Sequence, residues 1–514
     1  MVEIGAPGDT RRLLAIASLA GVVVCAASLA LSTRTGMWLD EAQTVAIARM
    51  PVGELLDGLR TDGAPPLYYL LLHGWMAVVG TSEIAVRALS AVFAAGTVAL
   101  APLAGYRLGG RRVAITATAL FATIPFMHRY ATEARMYTLV SLLVLAGFLA
   151  LQAALEKNTP RNLAVLAGVT GLLLLTHYWS VFLIATVVAL LVARAVGNGG
   201  SNGSNEAIGA RRALTAMAAG LLLFLPWAPS FLYQVRHTGA PWGEPAGPWI
   251  FEVSLQGLVG GRARLGVLGF LMAGLLVLGI FGRALPRGRI ELDLSGRPRS
   301  VPLALTIAGT LCLAVLVSQL TETAFAPRYA AVVVVPFLLL AALGLCVVEH
   351  RTAFPLLAAA VMGLGLVRSA DEAMAPRTQA RQLAAAVERK AQPGDLLAFC
   401  PDQLRPAVKR LVPTYIATLA YPPGSPASRV NWVDYDDRIK ATPGRAFAES
   451  VDRRAGEGAV WLVMAPGYHS LGKSCERVLH RIRQLRPGGR RVQAQNYSHF
   501  EHASLWRLPP TPGT

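Results

Sequence analysis

The stretch "PPLYYLLLHGWMAVVG", residues 65–80, decides how the chain is threaded. It is apolar, but paired prolines open it, and it is shorter than the roughly 20 residues a helix needs to cross a hydrocarbon core about 30 Å thick. Its Tyr, His and Trp side chains suit a helix lying in the membrane interface. Read as a full span, it would invert every segment after it.

Working outward, apolar runs able to cross a membrane lie near residues 13–32, 84–106, 112–128, 137–155, 162–176, 178–195, 212–231, 264–284, 301–320, 329–347 and 353–370. The first follows Arg11 and Arg12 as a signal sequence would. No convincing small-residue cleavage site separates it from the Trp38 region, so it reads as a retained anchor. With residues 65–80 kept out of the count, Arg11 and Arg12, Arg107, Arg111 and Arg112, Lys157 and Arg161, Arg211 and Arg212, Arg283, Arg287 and Arg289, and Arg351 all fall on one side. That side is assigned to the cytoplasm together with the N-terminus. Loops 33–83, 129–136, 232–262 and 321–328 then face outward.

Composition agrees. Of 514 residues, 54% are hydrophobic and 15% charged, with mean hydropathy +0.47, beyond what a soluble globular chain carries. The formal charge of +18 could suggest a nucleic-acid binder, but only five of the 48 basic residues are Lys and many Arg sit between apolar runs. The charge is read as topology first, anionic lipid or phosphate second, and no nucleic-acid partner is expected. The Arg and Ala richness looks like a GC-rich bacterium's. The expected fold class is therefore mainly α: a multi-pass bacterial plasma-membrane protein of about eleven transmembrane helices over residues 1–370.

From residue 371 the apolar spans stop. "ARQLAAAVERKAQPGDLLAFC" reads as an amphipathic helix, a turn and a short buried strand, and "AVWLVMA" and "HASLWRL" as two more strands. Residues 371–514 are thus expected to form an α/β domain, extracytoplasmic because the number of spans is odd. Cys25, Cys312 and Cys346 lie in predicted spans, whereas Cys400 and Cys475 lie in this domain, where an oxidising compartment permits a disulfide. "GNGGSNGSNEAIG", residues 197–209, reads as a flexible cytoplasmic linker.

The outward ends hold the polar chemistry. "TGMWLDEAQTVAIARM", residues 35–50, sets Asp40 and Glu41 side by side, and "DGAPPLYY" follows in the same loop with Tyr68. "HRYATEARMYTL", residues 128–139, packs His128, Arg129, Glu133, Arg135 and Tyr137 between two spans, a polar density that is costly unless the groups pair or line an aqueous cavity. "LLTHYWSVF" places His177 and Tyr178 where two spans meet, and "TAFAPRYAAVVVVPF" places Arg328 and Tyr329 at the mouth of another. Each has a plainer reading. Arg135 and Glu133 could close the loop as an ion pair, Tyr329 could be an interfacial belt aromatic, and His128 and His177 could be satisfied core histidines. Asp434, Asp436 and Asp437 read as a solvated acidic turn sooner than a cation loop. The loop bearing Trp242 and Trp249 reads equally as a mobile cover or an interfacial anchor.

Together these groups suit transfer from a lipid phosphate. A sugar on a polyprenyl phosphate departs with the phosphate ester as leaving group, which needs positive charge more than a general acid, and Arg serves that need well. The attacking hydroxyl is a poor nucleophile until a carboxylate takes its proton. Asp40 is the candidate base.

The order of an N-terminal span, a loop opening "WLDEAQ", the interfacial "PPLYYLLLHGW" and "EIAVRALSAVFA" resembles the GT-C superfamily of membrane glycosyltransferases, family 39-like. It is similar to bacterial protein O-mannosyltransferases and lipid A aminoarabinose transferases, and "EARMYTL" and "FAPRYAAVVVVPF" follow in the same order. The resemblance covers residues 10–370. It implies inverting transfer from a polyprenyl-phosphate-linked sugar at the outer face, with Asp40 as base and Glu41 as its catalytic neighbour. Arg328, Tyr329 and Arg135 are the implied donor-phosphate contacts. Glu133 and Tyr137 are implied in substrate binding, with His128, Arg129, His177, Tyr178 and Tyr68 grouped there by location. The acceptor would be an envelope glycan, glycolipid or protein.

There are departures. Ala64 stands where relatives often carry His or Lys before the proline of the interfacial helix. No cofactor is required; a divalent metal through Asp40 or Glu133 is possible, although no second Asp gives strict metal spacing. No motif in residues 371–514 matches the family. A transporter or flippase would want polar residues in mid-span, and a noncatalytic scaffold would tolerate loss of Asp40.

Overall fold

Each expected span is helical in the computed structural model, which describes residues 7–197, 205–239, 243–261, 265–322 and 324–510. Most of the 197–209 linker and Trp242 lie outside the described residues. Helix α1 (Pro7–Ser32) leads into three short helices, α2 (Leu39–Ala48), α3 (Val52–Asp62) and α4 (Leu67–Val79), and then α5 (Glu83–Thr123). Next come α6 (Pro125–Ala131), α7 (Tyr137–Glu156), α8 (Pro160–Thr176), α9 (Ser180–Gly197), α10 (Asn205–Leu221) and α11 (Ala228–His237). The bundle ends with α12 (Ile250–Val259), α13 (Gly266–Phe281), α14 (Val301–Thr321), α15 (Val334–Leu345) and α16 (Ala353–Met374).

Among the described residues, eight helices are long and apolar enough to cross a membrane, and α8 and α13 are shorter apolar helices. One of the eight, the 41-residue α5, holds two of the expected spans, 84–106 and 112–128. It breaks where Gly109 and Gly110 leave helical geometry, Gly110 at φ 73°, a conformation that costs glycine little. The two halves then fold back tightly: a Cβ on Gly105 would sit 2.8 Å from the Val113 carbonyl oxygen. The second half ends at Thr123 rather than at 128, because Pro125 starts α6 and disfavours helical geometry just before it. A 3-10 stretch around Pro226 (Leu222–Trp227) interrupts the run expected at 212–231, and another (Pro327–Val333) opens the run at 329–347.

The stretch that decides the threading folds as α4, 13 residues and so about 20 Å long, short of a full crossing. Tyr68, Tyr69, Leu72 and Met76 pack inward, while Val78 and Val79 are exposed. Other large apolar side chains are exposed along the helices, among them Leu19, Phe270, Leu316 and Leu356, as a hydrocarbon-facing surface requires. Helix α15 is the opposite case, with every residue buried, and forms the centre of the bundle.

The bundle has two unlike ends. At one, Arg112 Nη2 donates to the Val348 carbonyl (2.7 Å) and Arg299 Nη1 to the Leu108 carbonyl (3.1 Å), and a hairpin of β1 (Gly282–Leu285) and β2 (Arg289–Leu292) lies nearby in the chain. At the other, α2, α3 and α4 meet the loops at 124–136 and 324–333 and the C-terminal domain.

That domain is a five-stranded mixed sheet built from β3 (Leu396–Cys400), β4 (Ala417–Ala420), β5 (Val460–Met464), β6 (Arg490–Gln493) and β7 (Ser504–Leu508), ordered β4-β3-β5-β7-β6. β3 runs parallel to β4 and β5, and β7 antiparallel to β5 and β6. The three strands expected from sequence are β3, β5 and β7; β4 and β6 were not expected. Leu397, Phe399, Trp461 and Val463 face one core, and Ala398, Cys400, Val460 and Leu462 face another. Cys400, at the end of β3, is joined to Cys475 of helix Ser474–Leu485, with Cα atoms 5.5 Å apart.

Candidate active site

The site is organised around α2. Trp38 precedes its first turn in extended geometry, and Asp40 and Glu41 follow where two carboxylates complement the positive end of the helix. Their side chains diverge completely. Glu41 has no exposure, whereas the Asp40 side chain retains 17%.

Glu41 is the centre of a buried ion network. Arg87, in the first turns of α5, donates from Nε and Nη2 to the two carboxylate oxygens at 2.7 and 2.8 Å. The same arginine donates from Nη1 to the carbonyls of Ser32 (2.7 Å) and Thr35 (3.0 Å), tying the end of α1 to α5. The Ala134 N–H (3.1 Å) and Arg377 Nη1 (3.3 Å) complete the shell. Burial alone pushes the Glu41 carboxyl up, but Arg87, then Arg377 and the Ala134 N–H, hold it well below the usual range. Expected as a catalytic neighbour of Asp40, Glu41 is instead enclosed, with both oxygens occupied.

Asp40 faces the other way. Its Oδ2 lies 3.8 Å from Arg328 Nη2 and 3.9 Å from Arg135 Nη2, and it is buried without a hydrogen bond among the described residues. Arg328 comes from the 3-10 turn ahead of α15, its guanidinium 5.8 Å from the Trp38 ring and 5.6 Å from the Tyr329 ring. Arg135 comes from the loop between α6 and α7 and donates from Nη1 to Thr44 Oγ1 (2.9 Å) and to the Tyr69 hydroxyl (3.2 Å).

The remaining expected residues divide into two groups. Around the cluster, Glu133 accepts from the Trp38 indole N–H (2.8 Å), and Arg129 pairs with its other oxygen at 3.7 Å. The Tyr137 ring lies 5.8 Å from His177, which lies 5.3 Å from Tyr329, and the Tyr137 hydroxyl is buried without a hydrogen bond among the described residues. His177 Nδ1 accepts from the Trp179 N–H (3.2 Å), and burial, then the nearby arginines, push the ring down to about 3, so it stays neutral at physiological pH. Away from the cluster, His128 spends its nitrogens on Ser28 Oγ (3.3 Å) and the Ala122 carbonyl (2.9 Å). Tyr178 donates to Gln234 and accepts from the Trp227 indole. Tyr68 bonds Ser90 Oγ (2.7 Å), which in turn donates to the Arg135 carbonyl (3.0 Å), so it supports the loop rather than lining the cluster.

Several participants are absent from the sequence reading. Asp62, just before the Gly63 turn, accepts from Tyr69 (3.0 Å) and from Gln43, whose amide oxygen accepts the Val430 N–H (2.8 Å) of the C-terminal domain. Burial pushes the Asp62 carboxyl up. A hydrogen-bonded chain therefore runs from that domain to Arg135. Arg377 is equally unheralded, with no local pattern to mark it, and Trp38, although it opens the "WLDEAQ" motif, has no role assigned to it there.

The donor set argues against a cation. Among the described residues no three His, Cys, Asp or Glu side chains group to hold a metal ion, and the Asp40 oxygen faces two guanidinium groups. An anion fits the pocket of Arg135 and Arg328 better.

Two comparisons bear on this arrangement. The family model described as dolichyl-phosphate-mannose-protein mannosyltransferase matches residues 63–229, which include Glu133, Arg135 and Tyr137 but neither Asp40 nor Arg328. No functionally curated protein matches the chain by sequence. The crystal structure of ArnT from Cupriavidus metallidurans bound to undecaprenyl phosphate superposes with a TM-score of 0.57 at 14% identity, covering 98% of each chain. The apo state of the same protein gives a TM-score of 0.59 at 14% identity, over 97% of this chain and 98% of that one. The chain has the GT-C fold. The likeness extends through the C-terminal domain as well as the helical bundle of the GT-C architecture.

Proposed function

We propose that the chain is a polyprenyl-phosphate-dependent membrane glycosyltransferase acting at the end of the bundle that carries the C-terminal domain, facing away from the cytoplasm. The observation that carries this reading is the convergence of Arg135 and Arg328 within 4 Å of one buried Asp40 oxygen that makes no hydrogen bond among the described residues. The ArnT crystal structure with undecaprenyl phosphate and the match to a mannosyltransferase family model support it.

In this mechanism the donor phosphate draws the two guanidinium groups to itself, freeing the Asp40 oxygen. The acceptor hydroxyl gives its proton to that oxygen and attacks the anomeric carbon from the face opposite the phosphate. The carbon–phosphate-oxygen bond breaks, its electron pair leaves with the polyprenyl phosphate, and the anomeric configuration inverts. Arg135 and Arg328 stabilise charge that grows on the leaving group, where preorganised cations contribute most. Tyr137, Tyr329, His177 and Glu133 shape the sugar pocket, with neutral His177 serving as a hydrogen-bonding wall. Glu41 and Arg87 position Asp40. A transporter finds less support, because the mid-span hydroxyls of Thr97, Thr170, Thr186 and Thr310 are spent on carbonyls of their own helices four residues earlier.

The test is donor consumption by the purified protein in nanodiscs, with a panel of polyprenyl-phosphate hexoses and pentoses and envelope extracts as acceptors. Turnover of one donor that Asp40→Asn loses identifies the sugar and supports the base. Equal turnover by the variant removes Asp40 from the mechanism.

A further inference from the structure

Helix α2 begins without a local cap. The Trp38 side chain makes no capping bond, its indole being committed to Glu133, so the first-turn N–H groups look elsewhere for acceptors. The Leu39 N–H finds one 462 residues later: it donates to Glu501 Oε1 at 3.0 Å, in the C-terminal domain. Glu501 is itself 6% exposed and tightly held. Its N–H donates to the Arg377 carbonyl (2.8 Å) and its carbonyl accepts the Gln379 N–H (3.1 Å). The Gln379 side chain then fixes the surrounding segment, accepting from the N–H groups of Asn496 (2.9 Å) and Ala503 (3.1 Å) and donating to the Ala494 carbonyl (2.9 Å).

The same linkage reaches α2 a second time. Arg377, paired through its backbone to Glu501, grips Glu41 from the far side at 3.3 Å and donates to the Thr132 carbonyl at 2.6 Å. Residues 39 and 41 are thus held by Glu501 and Arg377, from two backbone-paired segments of the C-terminal domain, and the residue between them is Asp40. Rotation or translation of this turn would move Asp40 Oδ2 relative to Arg135 and Arg328, neither of which belongs to α2.

We propose that Glu501 is a positioning residue for Asp40: from the C-terminal domain it caps α2 and fixes the carboxylate against the two arginines. The proposal rests on the reading of Asp40 as the base. It assigns the C-terminal domain a part in the reaction that its sequence does not announce.

The experiment compares kcat, donor KM and thermal unfolding of full-length Glu501→Ala, Glu501→Gln and Leu39→Pro in nanodiscs, with Asp40→Asn alongside. Glu501→Gln keeps a carbonyl oxygen for the Leu39 N–H and is expected to stay within about threefold of wild type in kcat. Glu501→Ala is expected to lose about tenfold or more in kcat with donor KM changed less than about twofold, the signature of a misplaced catalytic group. Leu39→Pro deletes the donor from the other side at a helix position that accepts proline, so it serves even if Glu501→Ala does not fold. Its kcat loss should match, and the double variant should be no slower than either single one.

Wild-type kcat in Glu501→Ala, additive losses in the double variant, or equal losses in the Ala and Gln variants tracking a lowered melting temperature would each overturn the proposal. If Asp40→Asn is fully active, it is the base assignment that fails, whatever Glu501 does.

Discussion

Asp40 Oδ2 and Arg328 Nη2 stand 3.8 Å apart, bringing the first turn of α2 against the turn that opens the fully buried α15. At that distance the pair attracts without a shared hydrogen bond, so either partner can exchange the other for a substrate group. Arg328→Lys should therefore raise donor KM or Kd by roughly 10- to 100-fold while the protein stays folded, because a point charge cannot replace a planar fork on phosphate. Donor binding by titration checks this, and unchanged affinity would sink Arg328 as a phosphate ligand.

Separating binding from chemistry is the complementary test. Asp40→Asn removes the proton acceptor but also a negative charge from the two arginines. Donor affinity should hold or tighten as turnover falls by about 100-fold or more. Parallel loss of binding and turnover would instead make Asp40 structural.

Glu41 and Arg87 predict a different phenotype. Truncating one side of a buried, bidentate pair strands the other charge, at a cost of about 3–5 kcal/mol. Arg87→Ala should lower the melting temperature and the yield of folded protein, and a variant that melts like wild type would contradict the network.

Glu501 gives a pH dependence. Burial, with Asp40 and Glu41 adding negative charge nearby, pushes its carboxyl up to about 8. The folded value exceeds the unfolded one, so the stability linked to it is complete below the ordinary carboxylate range and is lost as pH rises through about 8. Melting temperature should fall from about pH 5 to about pH 8 in wild type and less steeply in Glu501→Gln. Parallel curves would show that the group does not titrate there.

The Cys400–Cys475 bond closes a 75-residue separation, and chain entropy puts its worth at up to about 4 kcal/mol. Cys475→Ser should destabilise the C-terminal domain under oxidising conditions, and reductant should do the same to wild type. A domain indifferent to both would show the bond adds nothing.

How far the sequence revealed this arrangement depends on the range of each signal. Apolar length is local, so the helices were legible, and breaks such as those at Gly109–Gly110, Pro125 and Pro226 shifted their limits. Asp40, Glu133, Arg135 and Arg328 stood out because charge at a span's mouth is costly without a purpose. Arg87 did not: one arginine near the start of an apolar run looks like a topological signal until Glu41 is found against it. Asp62, beside Gly63, looks like an ordinary turn residue. Glu501 sits in a polar stretch with no periodicity, and its partner lies 462 residues away. Strands β4 and β6, four residues each and partly exposed at the sheet edges, lack the continuous apolar run that marked β3 and β5.

The bond between residues 39 and 501 also sets an order in time. A ribosome completes every apolar helix of the bundle, α16 included, well before it reaches residue 501. Through that interval the nascent chain already owns its acidic pair and both arginines, yet the start of α2 has no latch. Shortening the chain anywhere between residues 375 and 500 should then leave a protein that inserts like the full one and carries the reacting groups loosely, so that insertion and competence become separable stages of biogenesis.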